Sequence, residues 1–469
     1  MTDTIEHISP DELQRQFDQE RDPAARYRLG LSLAEARSNQ GKRDQAIGIL
    51  NLVKSLAQSD HDEAVALIRL ADVCNKKSDY EGAVGNLEEA VVKLSSQPDS
   101  LELLDVYLQI ATIYWRQGYL ERARSFLDGA RLVMSLRRSA DGPEHNRAGA
   151  KLLHVQAVID GATGNQESAI KNYHEEIDLL ESLNDTAKLG TVYNNLSGLL
   201  KARGQLAKAL EYQLKAIDIA EKAGDPLSVA ISCNNLGEIY FELGYQDKAL
   251  PYYRLYMEMN KNIANRMGEA FGNVGLGRIC QSRSEYEKAE KHFRAALEIA
   301  REVKSKGKEV SVLSELADLY CDWNRPQAAA TALDEAIQIC IEIQLFNTQR
   351  HQVLNARILY LEALKLKGES RTGRLAKARA ILEDIVNHPI TVEDEEAVSA
   401  ADLEMECHVL LAGILHEQGQ AATAVEYIDK AIGLANVFAE QFPEDIKTTY
   451  LSRKKIRDMR ELKKELAKS

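Results

Sequence analysis

The chain repeats itself, and the length of the repeat leaves few folds open. Tyr193-Asn194-Asn195-Leu196 is echoed by Cys233-Asn234-Asn235-Leu236, 40 residues on. Gly204 then matches Gly244, and Ala209-Leu210 matches Ala249-Leu250. With that alanine as anchor, equivalents fall at Ala169, Ala209, Ala249, Ala289 and Ala329, each 40 residues from the last. Ala83 and Ala123 fit the template upstream, and Ala46 precedes them by 37. Ala378 and Ala424 follow after intervals of 49 and 46, which makes ten units. A period of roughly 20–50 residues marks an array whose units bury their apolar faces against one another.

Each unit reads as two amphipathic helices. Around Gly237, apolar Cys233, Leu236 and Tyr240 recur at i, i+3 and i+7, one stripe of a first helix A. Gly244 ends it, and Gly recurs at that place as Gly41, Gly118, Gly164, Gly204 and Gly419. A second helix B follows, with the anchor Ala near its start and Leu250, Tyr253 and Met257 on its buried face. The anchor is small because helix B crosses helix A there at close approach. Only 9 Pro in 469 residues, with few β-branched runs, suits helix throughout.

These features resemble the tetratricopeptide repeat, over roughly Arg26 to Ala439. The family's small residue, Tyr-like residue and early helix B alanine are matched by Gly237, Tyr240 and Ala249; by Ala111, Tyr114 and Ala123; and by Ala317, Tyr320 and Ala329. A second small residue appears as Ala90, Ala130, Ala216, Ala296, Ala336 and Ala431. The units exceed the family's common length, and the excess is expected to lengthen helix B by about one and a half turns, or ~9 Å. Long units with paired Asn and the ending Ala296 to Ala300 look like Pins-type and kinesin-light-chain-type scaffolds and, more loosely, bacterial Rap-type regulators. The resemblance implies an all-α, right-handed solenoid of about ten helix-turn-helix repeats with a capping helix. The expected organisation is an N-terminal arm over 1–25, the superhelix over 26–441 and a basic C-terminal helix over 442–469. Two polar segments, Arg137 to Gly149 and Lys365 to Arg374, read as loops within the array. Thr391 to Glu396 is a third, acidic one.

Charge and composition remove other classes. The net charge is −13, so coating nucleic acid or an anionic membrane is disfavoured. The exception is Ile446 to Ser469, where nine Lys/Arg face three Asp/Glu, a solvated helix or a docking strip. Six Cys without a C-x-x-C pair suit a reduced, cytoplasmic protein. Met1 to Pro10 is polar and acidic, so no signal peptide is expected, and no apolar run is long enough to span a membrane. Neither H-E-x-x-H, G-x-S-x-G nor a P-loop occurs. Gly272-Asn273-Val274-Gly275-Leu276-Gly277 lies inside a helix A and reads as close helix packing. His408 and His416 are too far apart for one metal. No enzymatic activity, cofactor or metal is expected.

What repetition offers is a concave surface lined by helix A. The inward-facing places of the family fall here on Thr191, Asn194 and Lys201; on Asn234, Glu238 and Phe241; on Phe271, Arg278 and Gln281; and on Asp318. That lining mixes polar, charged and aromatic groups, unlike a packing face. An Asn side chain carries a donor and an acceptor and can grip a peptide amide from both sides. Asn194 and Asn234, one unit apart, are expected to form a ladder along the groove; whether the chain's own segments enter that groove stays open. The expected function is an adaptor or scaffold that binds a peptide or helix of a partner protein. The alternative is a regulator that senses a peptide or small ligand and acts on a signalling or transcription partner. Pairing with a second copy through terminal units stays open.

Overall fold

In a computed structural model, the described residues, 9–137, 142–344, 348–388 and 397–467, form 23 helices and no strand. Contacts divide the chain into two compact units, Met1–Asp185 and Thr186–Ser469. The first opens with α1 (Pro10–Gln19), whose Leu13 and Phe17 pack on Leu33. Four hairpins follow: α2 (Pro23–Asn39) with α3 (Arg43–Leu56), α4 (Asp60–Lys76) with α5 (Tyr80–Leu94), α6 (Leu101–Arg116) with α7 (Leu120–Leu136), and α8 (Pro143–Ala162) with α9 (Gln166–Ser182).

The second unit holds six hairpins and a tail. They are α10 (Thr186–Ala202) with α11 (Leu206–Ala223), α12 (Pro226–Glu242) with α13 (Gln246–Asn262), α14 (Arg266–Ser282) with α15 (Tyr286–Glu302), α16 (Lys306–Asp322) with α17 (Pro326–Glu342), α18 (Gln349–Leu364) with α19 (Gly368–Asn387), and α20 (Ala397–Glu417) with α21 (Ala421–Ala439). The tail is α22 (Glu444–Leu451) and α23 (Lys454–Leu466).

The period is now explained. Two 17-residue helices such as α14 and α15, each followed by a three-residue turn, occupy 40 residues. The excess length is therefore shared, and the expected lengthening of helix B alone is corrected. Each turn carries one left-handed residue: Gly164, Gly204, Gly244, Ser284 and Asn324 after helix A, and Asn184, Gly224, Ala264, Lys304 and Gln344 after helix B. Glycine marked only part of this series. Short polar side chains, and even Ala and Lys, hold the same conformation elsewhere because packing on both sides dictates it.

All ten anchor alanines are fully buried, from Ala46 to Ala424. Nine occupy the fourth residue of helix B, while Ala378 lies deeper in α19. The expected loop Lys365 to Arg374 is therefore mostly helix. Arg374 reaches Glu362 at 2.7 Å and Arg371 pairs with Glu417, which ties the extra turns to both neighbours. Likewise Pro143 starts α8, so 143–149 is helical; Pro costs no hydrogen bond in a first turn. Residues 138–141 and the acidic segment 391–396 lie outside the described residues.

The glycine string is a packing device. A Cβ on Gly275 would lie 2.4 Å from the Tyr253 ring, and one on Gly277 2.6 Å from Phe293. All six cysteines are free thiols, and burial pushes Cys233 up to about 11 and Cys321 up to about 12. No helix among the described residues is long and apolar enough to cross a membrane.

Candidate binding trough

The inner helices of the second unit come round on themselves. α10 touches α12, α12 touches α14, and so on through α16 and α18 to α20, which returns to touch α10. Every inward residue expected from the sequence lies on α10, α12, α14 or α16. The lining between these helices is stitched by polar contacts whose partners sit about one repeat apart.

Lys201 Nζ reaches Glu238 Oε2 at 2.8 Å, and Asn234 Nδ2 donates to the other oxygen of Glu238 at 3.3 Å. Burial opposes ionisation of Glu238, but Lys201 outweighs it and holds the carboxyl below its ordinary range. Arg278 grips Glu315 in a two-point fork, Nη2–Oε1 2.6 Å and Nε–Oε2 3.1 Å. Arg350 adds a third contact to the same carboxylate at 3.2 Å. Glu315 is only 4% exposed. Its burial alone would raise the carboxyl pKa; Arg278 and Arg350 instead hold it at about 2. Gln281 donates to Asp318 and to Asp322, both at 2.8 Å. Arg357 bridges Asp318, Asp322 and Glu406. Burial and the neighbouring Asp322 push Asp318 up, while Arg357 keeps Asp322 down against the same burial.

The asparagine pattern differs from the expected ladder. Asn194 Oδ1 accepts from Asn235 Nδ2 at 2.9 Å, in the next unit, and from buried Gln213 at 3.2 Å. Asn194 therefore couples two units, and Asn234 leans on Glu238 within its own helix. Asn194 and Asn234 are not brought together. Phe241 is half-buried against the core beside Tyr240 and Leu250, whereas Thr191 is exposed. Phe271 is 41% exposed and carries Lys308 Nζ 3.5 Å from its ring centroid. Ile231, the counterpart of Phe271 in α12, is 43% exposed.

Sequence reasoning missed Glu315, Lys308, Arg350, Arg357, Asp322 and Glu406. Glu315 stands where the earlier units place Asn195 and Asn235, so the template could have flagged it. Arg350, Arg357 and Glu406 lie within the two longer intervals, where a 40-residue template no longer projects.

The trough is also not clear of its own chain. α22 and α23 pack on α21 as a cap should, and then reach further. Tyr245 donates to the Asp445 carbonyl at 3.4 Å, and Lys454 reaches Ser284 at 2.7 Å. The Arg453 side chain and the Thr449 carbonyl crowd Gly244 so closely that an added Cβ would lie 3.0–3.2 Å from them. The tail thus lies along the rim formed by the turns after α12 and α14. Arg453 binds Asp402 at 3.0 Å, and Lys455 lies 3.9 Å from Glu406.

Family models of the tetratricopeptide repeat match residues 188–262, 269–342, 104–130 and 406–438. The matched hairpins are tetratricopeptide repeats. No curated protein sequence matches the chain. Among solved structures, a Rap protein complexed with Competence and Sporulation Factor is similar at 14% identity, covering 81% of this chain and all of that one, with a TM-score of 0.56. The apo form of the quorum sensor NprR from B. thuringiensis covers 77% of this chain and 98% of its own at 14% identity, TM-score 0.52. An aspartyl phosphate phosphatase F from Bacillus subtilis covers 79% and 93% at 12% identity, TM-score 0.51. At such identities the likeness is one of fold: long tetratricopeptide-repeat solenoids.

Proposed function

We propose that the second unit binds a peptide segment of a partner protein in its trough, as a non-enzymatic adaptor. The observation that carries this is the pair Ile231 and Phe271, two large apolar side chains at equivalent places of adjacent inner helices, left 43% and 41% exposed in a polar concavity. Apolar surface gains about 25 cal/mol for each Å² removed from water, so two such side chains supply the anchors that hydrogen bonds alone do not. Asn194 and Asn234 flank them along the same face and offer amide groups to a ligand backbone. Asn194 donates, since its carbonyl is taken by Asn235 and Gln213; Asn234 accepts, since its amide is turned to Glu238.

A second reading makes the array a ligand-sensing regulator. It is favoured by the likeness to a Rap protein complexed with Competence and Sporulation Factor and by the tail across the rim, an element that ligand entry can displace.

The test is affinity capture from the native cell with the full chain and with Ile231→Ser/Phe271→Ser. Loss of specific partners by the variant, with melting near wild type, supports the trough. An unchanged set of partners sinks it. Asn194→Ala is a poor probe here, because it also strands Asn235 and Gln213.

A further inference from the structure

Resting on that reading, we propose that the segment taken up in the trough is acidic, and that Lys308, Arg278 and Arg350 receive its carboxylates. Two guanidinium groups share the single carboxylate of Glu315, and Arg350 makes only one contact with it. A guanidinium has five N–H donors, so most of those on Arg350 are uncommitted to any anion. Lys308 has no carboxylate within 4.0 Å among the described residues; its ammonium sits over the face of Phe271, and Glu315 and Glu238 act on it only from further off.

Charge around this place is one-sided. Toward α12, Lys201 and Glu238 neutralise each other. Toward α18 and α20, Asp318, Asp322 and Glu406 surround Arg357, and Lys455 of the tail approaches them. Between these lie three cations, Arg278, Lys308 and Arg350, with Glu315 among them and Glu238, already paired with Lys201, acting from one side, so positive charge remains in excess. The chain as a whole carries −13, so this concentration of positive charge in a recess stands against the general balance. A concave site of one sign draws the opposite sign toward it. Burial and the neighbouring Arg278 also push Lys308 down to about 8, a penalty that a bound anion removes.

The tail shows what satisfies the other end. Asp402 and Glu406 have been met by Arg453 and Lys455 of the chain itself. The cationic end has no such segment against it among the described residues. The occupant is a peptide because Phe271 offers an apolar shelf directly under Lys308, which an aspartate- or glutamate-bearing segment covers with its other side chains. A nucleic acid, with phosphates at regular spacing, runs into Asp318, Asp322 and Glu406 one helix away.

A random decapeptide library displayed on phage and panned on the immobilised full chain at ~0.1 M salt tests this. The expected enriched pool is rich in Asp and Glu. Its retention falls about tenfold on Lys308→Gln/Arg350→Gln, the scale of one lost charge-assisted contact. Should the double variant melt early, Lys308→Gln alone serves, since Lys308 has no ion pair to lose. An enriched pool that is neutral or basic overturns the acidic ligand; the trough reading survives if Ile231→Ser/Phe271→Ser still abolishes retention. No enrichment on wild type overturns both. A labelled single-stranded DNA held as tightly as the acidic pool, and released by the same variants, overturns the choice of a peptide.

Discussion

Gly275→Ala sets two known effects against each other, and the structure says which prevails. In an open helix the change helps by about 1 kcal/mol, because Ala has the better helix propensity. Here the new Cβ would lie 2.4 Å from Cδ1 and 2.5 Å from Cε1 of Tyr253, about 1 Å inside ordinary contact. The ring cannot retreat, since a Cβ on Gly237 opposite would lie only 2.7 Å from it, and Tyr253 is almost fully buried. Overpacking of this kind costs about 1–3 kcal/mol, so set against that gain we expect a net loss of up to about 2 kcal/mol. Gly433→Ala in α21, where a Cβ meets nothing within 4 Å, is the control and should gain about 0.5–1 kcal/mol. Urea melts followed by far-UV circular dichroism measure both. Adding Tyr253→Leu to Gly275→Ala should recover part of the loss, with a coupling of at least about 0.5 kcal/mol. Equal stabilisation by both glycine replacements refutes a close crossing of α13 with α12 and α14.

Three further outcomes are expected. Ala264 has φ +54 in the turn after α13, a left-handed conformation costing a non-glycine residue about 1–2 kcal/mol, so Ala264→Gly should raise the urea midpoint; a lower midpoint contradicts the turn geometry. Glu315 is held at about 2 in the folded chain against an ordinary 4.5, so the unfolded chain binds more protons there. Its contribution, about 3 kcal/mol, is present above pH 4.5 and lost as pH falls toward 2, and Glu315→Gln should flatten that acid limb in stability measured against pH. Arg453→Ala removes the 3.0 Å contact to Asp402, and amide exchange should quicken both in α23 and at the Gly244 turn; a change confined to α23 contradicts a tail that bridges the rim.

Much of the fold was legible because it depends on local chemistry. A 40-residue spacing of alanines survives in the sequence because each one must clear the same helix crossing, and all ten proved fully buried. Turn glycines were readable for a similar reason, whereas Lys304 and Gln344 at the same backbone angle were not, since packing rather than residue type holds them there. Residues 143–149 and 368–374 proved helical, because polarity there was taken for a loop. Arg371 and Arg374 instead reach carboxylates on neighbouring helices, and those partners are invisible from within the segment.

The trough divides the same way. Its ten expected residues all fell on the inner helices, because position within a repeat determines which way a side chain faces. What each one holds was decided only in three dimensions. Arg278 meets Glu315, Arg357 joins α18 to α16 and α20, and the tail returns to Gly244, across gaps from 37 residues to some two hundred. Repeat periodicity constrains direction and spacing along the chain. The partner of a charge depends on how far successive hairpins rotate about the stack, and that rotation accumulates over many units from contacts no single one of them encodes.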